Sequence, residues 1–310
     1  MNADLRPSSV LVFDEREWPA ASRFAAACET TALRVERHDF PDGEMRLQLP
    51  VDLSGRVGFW RSLAQPNDKL VELMIAAPAA RALGARELML ICPYLAYVRQ
   101  DAAFEPGEAI SQRHVSRFIS NLFETVITVD PHLHRIASLG EVMPASRCIV
   151  ASAAGALGVH AARRRADPLL LGPDAESAPW ALQAAVAGGL AIGRDRPLDH
   201  AVCRKLRIDD REVRVELGAE VNVAGRAVVM VDDVASTGRT LAEAALACLA
   251  RGALSVDAAI VHAMFGPDDE RFLRACGIGE VWSTSSIPHP SNAIDIGGVI
   301  AAALGATDIG

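Results

Sequence analysis

The sequence predicts an α/β protein that consists of two doubly wound parallel-sheet domains. Short apolar segments rich in β-branched residues alternate with longer Ala-rich segments that favour helices, and 50% of the 310 residues are hydrophobic. The alternation runs twice, in two series of about 140 residues each, which is the size of an ordinary domain. We expect one domain at residues 1–146 and a second at 147–310, whose tail from residue 285 onward packs back on the first.

Local composition predicts each element of the first series. Apolar runs indicate strands at 9–13, 33–37, 57–63, 87–92 and 125–129, and Ala-rich or amphipathic segments indicate helices at 18–28, 67–83 and 111–123. Asn67 is the expected N-cap of the second of these helices. The Pro and Gly of residues 39–44 predict a turn that leads into the alternating segment 45–49.

The second series repeats this pattern. Strands are expected at 147–150, 168–171, 214–217, 227–231, 255–262 and 280–283, and helices at 151–162, 177–187, 241–249 and 296–304. Gly188 and Gly189 are expected to follow the second of these helices and to lead into a short strand. A polar stretch at 193–210 comes next, and no low-complexity segment or long linker separates the two series.

Composition and charge exclude several classes of protein. The formal net charge of −8 argues against a general nucleic-acid or anionic-membrane partner. No apolar run is long enough to span a membrane, and the first residues lack a signal-peptide core. The six cysteines are widely spaced without a Cys-x-x-Cys pair, which is typical of reduced thiols and predicts no zinc site. We therefore expect a cytoplasmic protein.

The segment Val228 to Thr240 carries the strongest functional signal. An apolar run ends in two carboxylates, Asp232 and Asp233, and a polar turn with Gly238 leads into an Ala/Leu-rich helix. Such a junction presents backbone N–H groups and the positive end of a helix dipole to an anion. Glycine also lets the backbone approach a ligand closely. Further hydroxyl donors are Ser236, Thr237 and Thr240.

The two carboxylates suit the vicinal hydroxyls of a sugar, which they can contact directly or through a bound cation. A phosphate site beside a diol site indicates a sugar phosphate as the ligand. In the alternative interpretation, the carboxylates only end a strand, and Ser236 or Thr237 only caps a helix. Composition alone favours neither interpretation.

The complete segment resembles the phosphoribosyl-diphosphate loop of type I phosphoribosyltransferases and of ribose-phosphate diphosphokinases. Similarity to the diphosphokinase family extends over most of the chain, whereas an ordinary nucleobase phosphoribosyltransferase has one such domain and lacks an Arg-Gln-Asp segment. The motifs that carry the similarity are Phe40-Pro41-Asp42-Gly43-Glu44, Pro93-Tyr94, Tyr97-x-Arg99-Gln100-Asp101, Glu105 to Ser111, Asp130-Pro131-His132, Pro173-Asp174 and Lys205-x-Arg207.

The resemblance implies domains of the type I phosphoribosyltransferase kind and an enzyme of nucleotide biosynthesis that requires Mg²⁺. The implied reaction transfers the β,γ-diphosphoryl group of ATP to the 1-hydroxyl of ribose 5-phosphate, which gives phosphoribosyl diphosphate and AMP. An ATP site shared with a neighbouring subunit implies a homo-oligomer, at least a dimer.

The same resemblance implies a role for each motif residue. Lys205 and Arg207 belong to a mobile catalytic loop and neutralise charge on the transferred group. His132 and Asp174 bind the metal. The ATP-binding residues are Phe40, Asp42, Glu44, Arg99, Gln100 and Asp101. The ribose 5-phosphate-binding residues are Asp174, Asp232, Asp233, Ser236, Thr237, Gly238, Arg239 and Thr240.

Residue types alone favour simpler interpretations of three of these motifs. Asp42-Gly43 is typical of a hairpin turn. A lone histidine such as His132 is more often structural than a ligand, and His134 matches no family position. Residues 205–207 are typical of a solvated basic loop.

Three sites depart from the family pattern, namely Pro131, the triplet Ala175-Glu176-Ser177, and Arg239. A carboxylate at Glu176 repels phosphate unless it points away or binds metal. The triplet leaves open the alternative that the protein is a catalytically silent relative that regulates the synthase. The basic pair at 205 and 207 argues against that alternative. A phosphoribosyltransferase that consumes phosphoribosyl diphosphate is the other alternative, against which the second domain counts.

Overall fold

The computed structural model of the protein describes residues 5–133, 135–207 and 213–306. The chain divides into two compact units. The first contains the chain up to Ala151, residues 286–288 and the segment that begins at Asp295, and the second contains Ser152–Ser285 and His289–Ile294.

The first unit is built on a six-stranded parallel sheet. Its strands are β1 (Ser9–Val12), β2 (Thr31–Arg34), β5 (Arg56–Trp60), β6 (Glu87–Cys92), β7 (Thr125–Val129) and β8 (Arg147–Ala151), in the spatial order β2-β1-β5-β6-β7-β8. An antiparallel hairpin of β3 (Glu36–Asp39) and β4 (Met45–Gln48) is inserted after the second strand. The helices are α1 (Trp18–Ala27), α2 (Pro66–Ala82), α3 (Ser111–Leu122) and α8 (Gly297–Ala306).

The second unit has a sheet of the same design. Its strands are β9 (Leu169–Gly172), β10 (His200–Val202), β13 (Ala227–Ala235), β14 (Ser255–Ala263), β15 (Ile278–Thr284) and β16 (Asn292–Ile294), in the order β10-β9-β13-β14-β15-β16. The antiparallel hairpin here pairs β11 (Arg204–Arg207) with β12 (Val213–Glu216). The helices are α4 (Ala154–Arg164), α5 (Ala178–Ala191), α6 (Arg239–Ala250) and α7 (Pro267–Ala275).

Both units therefore repeat one topology, with the first sheet strand between the second and the third. In such an open sheet the ligand crevice lies outside the carboxyl ends of the strands, where the winding direction reverses. That position falls between β1 and β5 in the first unit and between β9 and β13 in the second. The central strands supply the core of each unit, and residues 88–92 and 228–231 are fully buried.

The prediction of two doubly wound parallel sheets is confirmed, but several element boundaries were wrong. The strand predicted at 227–231 continues as β13 to Ala235, so Asp232 and Asp233 lie within it. The helix predicted to begin at Asn67 begins at Pro66, and its N-cap is Gln65 in a left-handed conformation. Helix α7 was not predicted, and β16 follows the strand that was expected to be the last.

Gly188 and Gly189 do not end a helix, because both lie within α5. A Cβ atom at Gly188 would lie 2.8 Å from the carbonyl oxygen of Gly158 on α4. Close contact between α4 and α5 therefore selects glycine inside a helix, although isolated glycine weakens helices. Across the three described ranges, no helix is long and apolar enough to cross a membrane.

Candidate functional site

The segment 236–240 forms the connection from β13 to α6 in the second unit. Strand β13 pairs with β14 from Ala227 to Ala235 and with β9 from Val228 to Met230, and the Met264 N–H donates to the Ala235 oxygen at 2.8 Å where the strands end. Gly238 is the N-cap of α6 and has φ +69°. A Cβ atom there would lie 2.7 Å from Leu273 Cδ2 of α7. Only glycine fits this turn without strain.

The remaining side chains of this loop face solvent. Ser236, Thr237 and Arg239 are exposed, and Thr240 is half-buried. Because the first N–H groups of a helix have no partner within the helix, the amino end of α6 offers donors beside these hydroxyls. The loop is thus built to receive an anion.

Two carboxylates precede the loop near the end of β13. Asp233 is buried and its Oδ1 accepts a hydrogen bond from the Val234 N–H at 2.8 Å. Asp232 is half-buried, and its Oδ1 accepts from the Asp233 N–H at 3.1 Å. Each carboxylate oxygen has two lone pairs and can therefore accept more than one hydrogen bond.

Asp174 lies just beyond β9, the neighbour of β13. Its Oδ1 accepts hydrogen bonds from the N–H groups of Glu176 at 3.0 Å and Ser177 at 3.2 Å. The Ser177 hydroxyl returns the interaction by donating to the Asp174 carbonyl oxygen at 2.6 Å. A side chain at Gly172 would overlap Ser177 Oγ. This reciprocal cap holds Asp174 in place.

The capped turn also accounts for the unusual triplet after Pro173. Glu176 contributes its backbone N–H to the cap, and its side chain is exposed. Ser177 is buried and supplies the hydroxyl of the cap. The Ala-Glu-Ser sequence thus builds the support of Asp174.

The hairpin of β11 and β12 starts at the same edge of the sheet. The Cys203 N–H donates to the Gly172 oxygen at 2.8 Å, which ties the start of β11 to the end of β9. Burial raises the pKa of the Cys203 thiol to about 12. Lys205 and Arg207 occupy β11, opposite Val215 and Val213 of β12. The expected catalytic pair therefore lies on a hairpin strand, and residues 208–212 fall outside the described ranges.

Register places these groups at one edge of the second sheet. Leu171 pairs with Met230, so Asp174 follows β9 at the level where Asp232 and Asp233 lie in β13. Carboxylate oxygens are the ligands that Mg²⁺ prefers, usually one or two of them together with water and substrate phosphate. The donor set at this edge fits that cation. Within the described residues no group of three or more His, Cys, Asp and Glu side chains could hold a metal.

In the first unit, the motif at 40–44 forms the turn between β3 and β4. The Phe40 N–H donates to the Glu44 oxygen at 2.8 Å, and Asp42 Oδ1 accepts from the Glu44 N–H at 3.1 Å. Phe40 is exposed and lies edge-on to His38, with 4.8 Å between ring centroids. The hairpin expected from Asp42-Gly43 is confirmed, and its side chains are open to solvent.

The Arg99-Gln100-Asp101 segment packs against the start of α3. Gln100 Oε1 accepts from the Ser111 N–H at 2.6 Å, so this side chain anchors the helix. Arg99 is exposed and forms no ion pair within the described ranges. Asp101 is buried, and its Oδ1 is bound by Arg135 Nη1.

His132 is half-buried in the segment after β7. That segment begins at Asp130, which is buried, has φ +36°, and donates its N–H to the Ala151 oxygen at 3.0 Å. His134 lies outside the described residues. His132 belongs to the first unit and Asp174 to the second.

Sequence reasoning missed a buried ion cluster at the crevice of the first unit. Arg61 is only 4% exposed and pairs with Glu72 at 2.6 Å and Glu17 at 3.3 Å. Desolvation raises the pKa of Glu17 to about 7, against the lowering effect of Arg61. Burial lowers the pKa of Lys69, whose Nζ donates to the Ser62 oxygen at 2.7 Å. A cavity of 390 Å³ opens beside this cluster.

Neither this cluster nor the Asp101–Arg135 pair has a local signal in the sequence. Their partners are 34 residues apart for Asp101 and Arg135, and 44 for Glu17 and Arg61. The only available hint is that Arg61 directly follows an apolar strand, where a charge needs a buried partner.

Two doubly wound units of one topology, the second with a glycine turn at a helix start and carboxylates at the same sheet edge, define a protein of the phosphoribosyltransferase fold class. Residues 11–122 match the model of the N-terminal domain of ribose phosphate pyrophosphokinase. Residues 200–304 match the phosphoribosyl synthetase-associated domain.

Similar proteins cover nearly the whole chain. A ribose-phosphate pyrophosphokinase of Methanopyrus kandleri is 35% identical over 91% of this chain and 94% of its own length. One from Halobacterium salinarum is 31% identical over 92% of this chain and 96% of its own length. A solved phosphoribosylpyrophosphate synthetase from Mycobacterium smegmatis shares the fold, with a TM-score of 0.72 and 22% identity over 97% of this chain and 98% of that chain. The chain belongs to the ribose-phosphate pyrophosphokinase (diphosphokinase) family.

Proposed function

We propose that this protein transfers the β,γ-diphosphoryl group of ATP to the 1-hydroxyl of ribose 5-phosphate, giving phosphoribosyl diphosphate and AMP for nucleotide biosynthesis. The observation that carries the proposal is the edge of the second sheet, where the loop 236–240 and the capped Asp174 flank one crevice. Family membership supports the same reaction.

The loop receives the 5-phosphate of the sugar. The hydrogen-bond donors of the loop are its backbone N–H groups and the hydroxyls of Ser236, Thr237 and Thr240. Gly238 lets the phosphate come close to the backbone. Arg239 is exposed at the first position of α6 and adds positive charge. Asp232, Asp233 and Asp174 then face the ribose hydroxyls, which donate hydrogen bonds to carboxylates.

In the transfer step, the 1-hydroxyl oxygen forms a bond to the β-phosphorus, and the bond from that phosphorus to the α,β-bridging oxygen breaks. AMP leaves with the bridging oxygen. The protein's task is to position the reactants and neutralise charge on the transferred group. Lys205 and Arg207, on a hairpin tied to the end of β9, supply that charge.

The ATP-binding residues belong to the first unit. Arg99 and Gln100 of one chain and the exposed turn with Phe40, Asp42 and Glu44 of a neighbouring chain hold the nucleotide, so the active form is a homo-oligomer of at least two chains. His132 in the first unit and Asp174 in the second would each be available to hold Mg²⁺, whose charge would offset that of the phosphate groups. The six free thiols suit the cytoplasm, where we place the protein.

To test the proposal, the protein is incubated with ATP, ribose 5-phosphate and Mg²⁺, and the AMP formed is measured by chromatography. Lys205→Ala is expected to lower the rate roughly a hundredfold or more, as for loss of a transition-state contact. Arg204→Ala is the matched control, since Arg204 is an exposed base on the same strand, paired with Glu220 at 3.1 Å. Its activity should stay near that of the wild type.

Other outcomes identify the alternatives. Binding of ATP without AMP formation would identify a regulatory relative of the synthase. Consumption of phosphoribosyl diphosphate only when a nucleobase is added would identify a phosphoribosyltransferase.

A further inference from the structure

Asp101 is a buried carboxylate that the structure satisfies on one side only. Its side chain is 1% exposed, and Arg135 Nη1 binds Oδ1. The other oxygen, Oδ2, is buried and has no hydrogen-bond partner in the part of the chain that is described. An unpaired buried carboxylate oxygen is costly, so such an atom marks either strain or an unfilled ligand position.

Arg135, unlike its partner Asp101, is largely exposed to solvent. Its side chain is 56% exposed, although one guanidinium nitrogen reaches the buried Asp101. The guanidinium carbon also lies 5.8 Å from the ring centroid of Phe104, a side chain that is itself 70% exposed. Arg135 is thus held by a carboxylate and an aromatic ring while its remaining N–H groups are open to solvent.

This arrangement changes the interpretation of the Arg99-Gln100-Asp101 motif. Asp101 is too buried to meet a nucleotide directly. Arg135 extends from Asp101 into solvent, on the chain segment that also carries His132. A guanidinium offers five donors in a planar fork that matches phosphate oxygens.

We propose that Arg135 is a further ATP-binding residue that contacts the polyphosphate, and that Asp101 is the positioning residue that holds its guanidinium. The guanidinium lies over the ring of Phe104, which supports it through a cation–π contact. When a phosphate binds Arg135, the guanidinium is aligned so that a second of its N–H groups donates to Asp101 Oδ2, and the pair becomes bidentate. The inference rests on the proposed use of ATP.

The test is titration of the full-length protein with Mg²⁺–ATP in a calorimeter, without ribose 5-phosphate, alongside steady-state kinetics for both substrates. Arg135→Gln is expected to weaken ATP binding about tenfold to hundredfold, as for loss of charge-assisted hydrogen bonds. Arg135→Lys should fall between, because lysine keeps the charge and loses the fork. The KM for ribose 5-phosphate should change by less than about twofold in both variants.

Arg81→Gln is the matched control. Arg81 is a partly exposed arginine of the same unit that pairs with Glu124 at 2.7 Å, so its loss removes an equal charge from a different surface. We expect its ATP affinity to equal that of the wild type.

A double-mutant cycle tests the role of Asp101. If Asp101 acts only through Arg135, Asp101→Asn weakens ATP binding in the wild type and adds nothing in the Arg135→Gln background. Additive losses would overturn the positioning role. If Asp101→Asn unfolds the protein in a thermal melt, the Gln and Lys variants of Arg135 decide the inference by themselves.

The possible results separate the two proposals. Wild-type ATP affinity in Arg135→Gln overturns the inference and leaves the proposed reaction intact. Weakened binding in that variant, with a wild type that binds ATP yet forms no phosphoribosyl diphosphate, supports the inference and overturns the reaction. A wild type that does not bind ATP overturns both.

Discussion

Gly238 lies against Leu273, so close that a single added carbon at Gly238 would stand 2.7 Å from the leucine Cδ2. The contact joins the loop that begins α6 to the following helix, α7. Because φ at Gly238 is +69°, the position rejects a side chain for conformational and for packing reasons at once. The φ of Gly238 and its contact with Leu273 therefore hold the backbone of the proposed phosphate loop in one conformation.

Gly238→Ala should destabilise the fold by about 1–3 kcal/mol, from left-handed strain and displacement of Leu273. The KM for ribose 5-phosphate should rise as well, since the loop backbone must shift. Gly298→Ala in α8 is the control, because nothing lies within 4 Å of its Cβ position. Urea unfolding and substrate kinetics check both variants, and equal stability of the two would contradict the role of the contact.

Ser177 and Glu176 should behave in opposite ways although they are neighbours. Ser177→Ala removes the reciprocal cap of Asp174 and should cost about 1–2 kcal/mol of stability, with a higher KM for ribose 5-phosphate. Glu176→Gln should leave activity within about twofold of the wild type, because its carboxylate is exposed and only its N–H takes part in the cap. A large gain of activity in Glu176→Gln would show that the carboxylate repels substrate.

Glu17 should give the protein a pH-dependent stability. Its folded pKa of about 7 lies above the ordinary value of 4.5, so the folded state holds the proton more tightly than the unfolded state. This contribution is complete below pH 4.5 and is lost as the pH rises through 7. The expected loss is about 1–3 kcal/mol.

Urea unfolding from pH 5 to 8 measures this loss, and Glu17→Gln should flatten the profile relative to the wild type. Glu15→Gln is a suitable control, since Glu15 is exposed and pairs with Arg34 at 2.9 Å. If Glu17→Gln and the wild type show parallel profiles, Glu17 does not titrate in this window.

The pair Arg165–Asp257 should matter for stability and not for catalysis. Asp257 is fully buried and receives two hydrogen bonds from Arg165, at 2.7 and 2.8 Å. Arg165→Gln leaves that carboxylate uncompensated and should cost about 3–5 kcal/mol. Arg164→Gln, which loses a pair with the half-exposed Glu280 and a cation–π contact with Trp282, should cost far less. Thermal melts compare the two, and similar losses would contradict the prediction.

The sequence predicted what depends on local pattern. Apolar periodicity and turn residues predicted both parallel sheets, and the resemblance of residues 228–240 to a phosphoribosyl-diphosphate loop indicated an anion site. The extension of β13 through Asp232 and Asp233 was missed because charged residues normally end a buried strand. Gly188 and Gly189 misled for a related reason, since their place in α5 depends on close contacts with distant backbone, Gly158 of α4 for Gly188 and Arg196 for Gly189.

The candidate site was predictable only where neighbours in sequence act together. The roles proposed for Asp174 and the 236–240 loop depend on adjacent residues, so a motif could indicate them. The Asp101–Arg135 pair and the Arg61 cluster join distant segments, and their geometry depends on the complete fold. Within the Arg99-Gln100-Asp101 motif, the sequence does not show that Asp101 is buried while Arg99 is exposed.

The proposed reaction breaks one particular bond of ATP and delivers the released group to the sugar. ATP labelled with ³²P at the γ-phosphate, incubated with the protein, Mg²⁺ and ribose 5-phosphate, reports both events. We expect the label to appear in phosphoribosyl diphosphate, in an amount equal to the AMP formed, and we expect neither product without the sugar. Label in free phosphate or pyrophosphate, or AMP formation that is independent of ribose 5-phosphate, would contradict it.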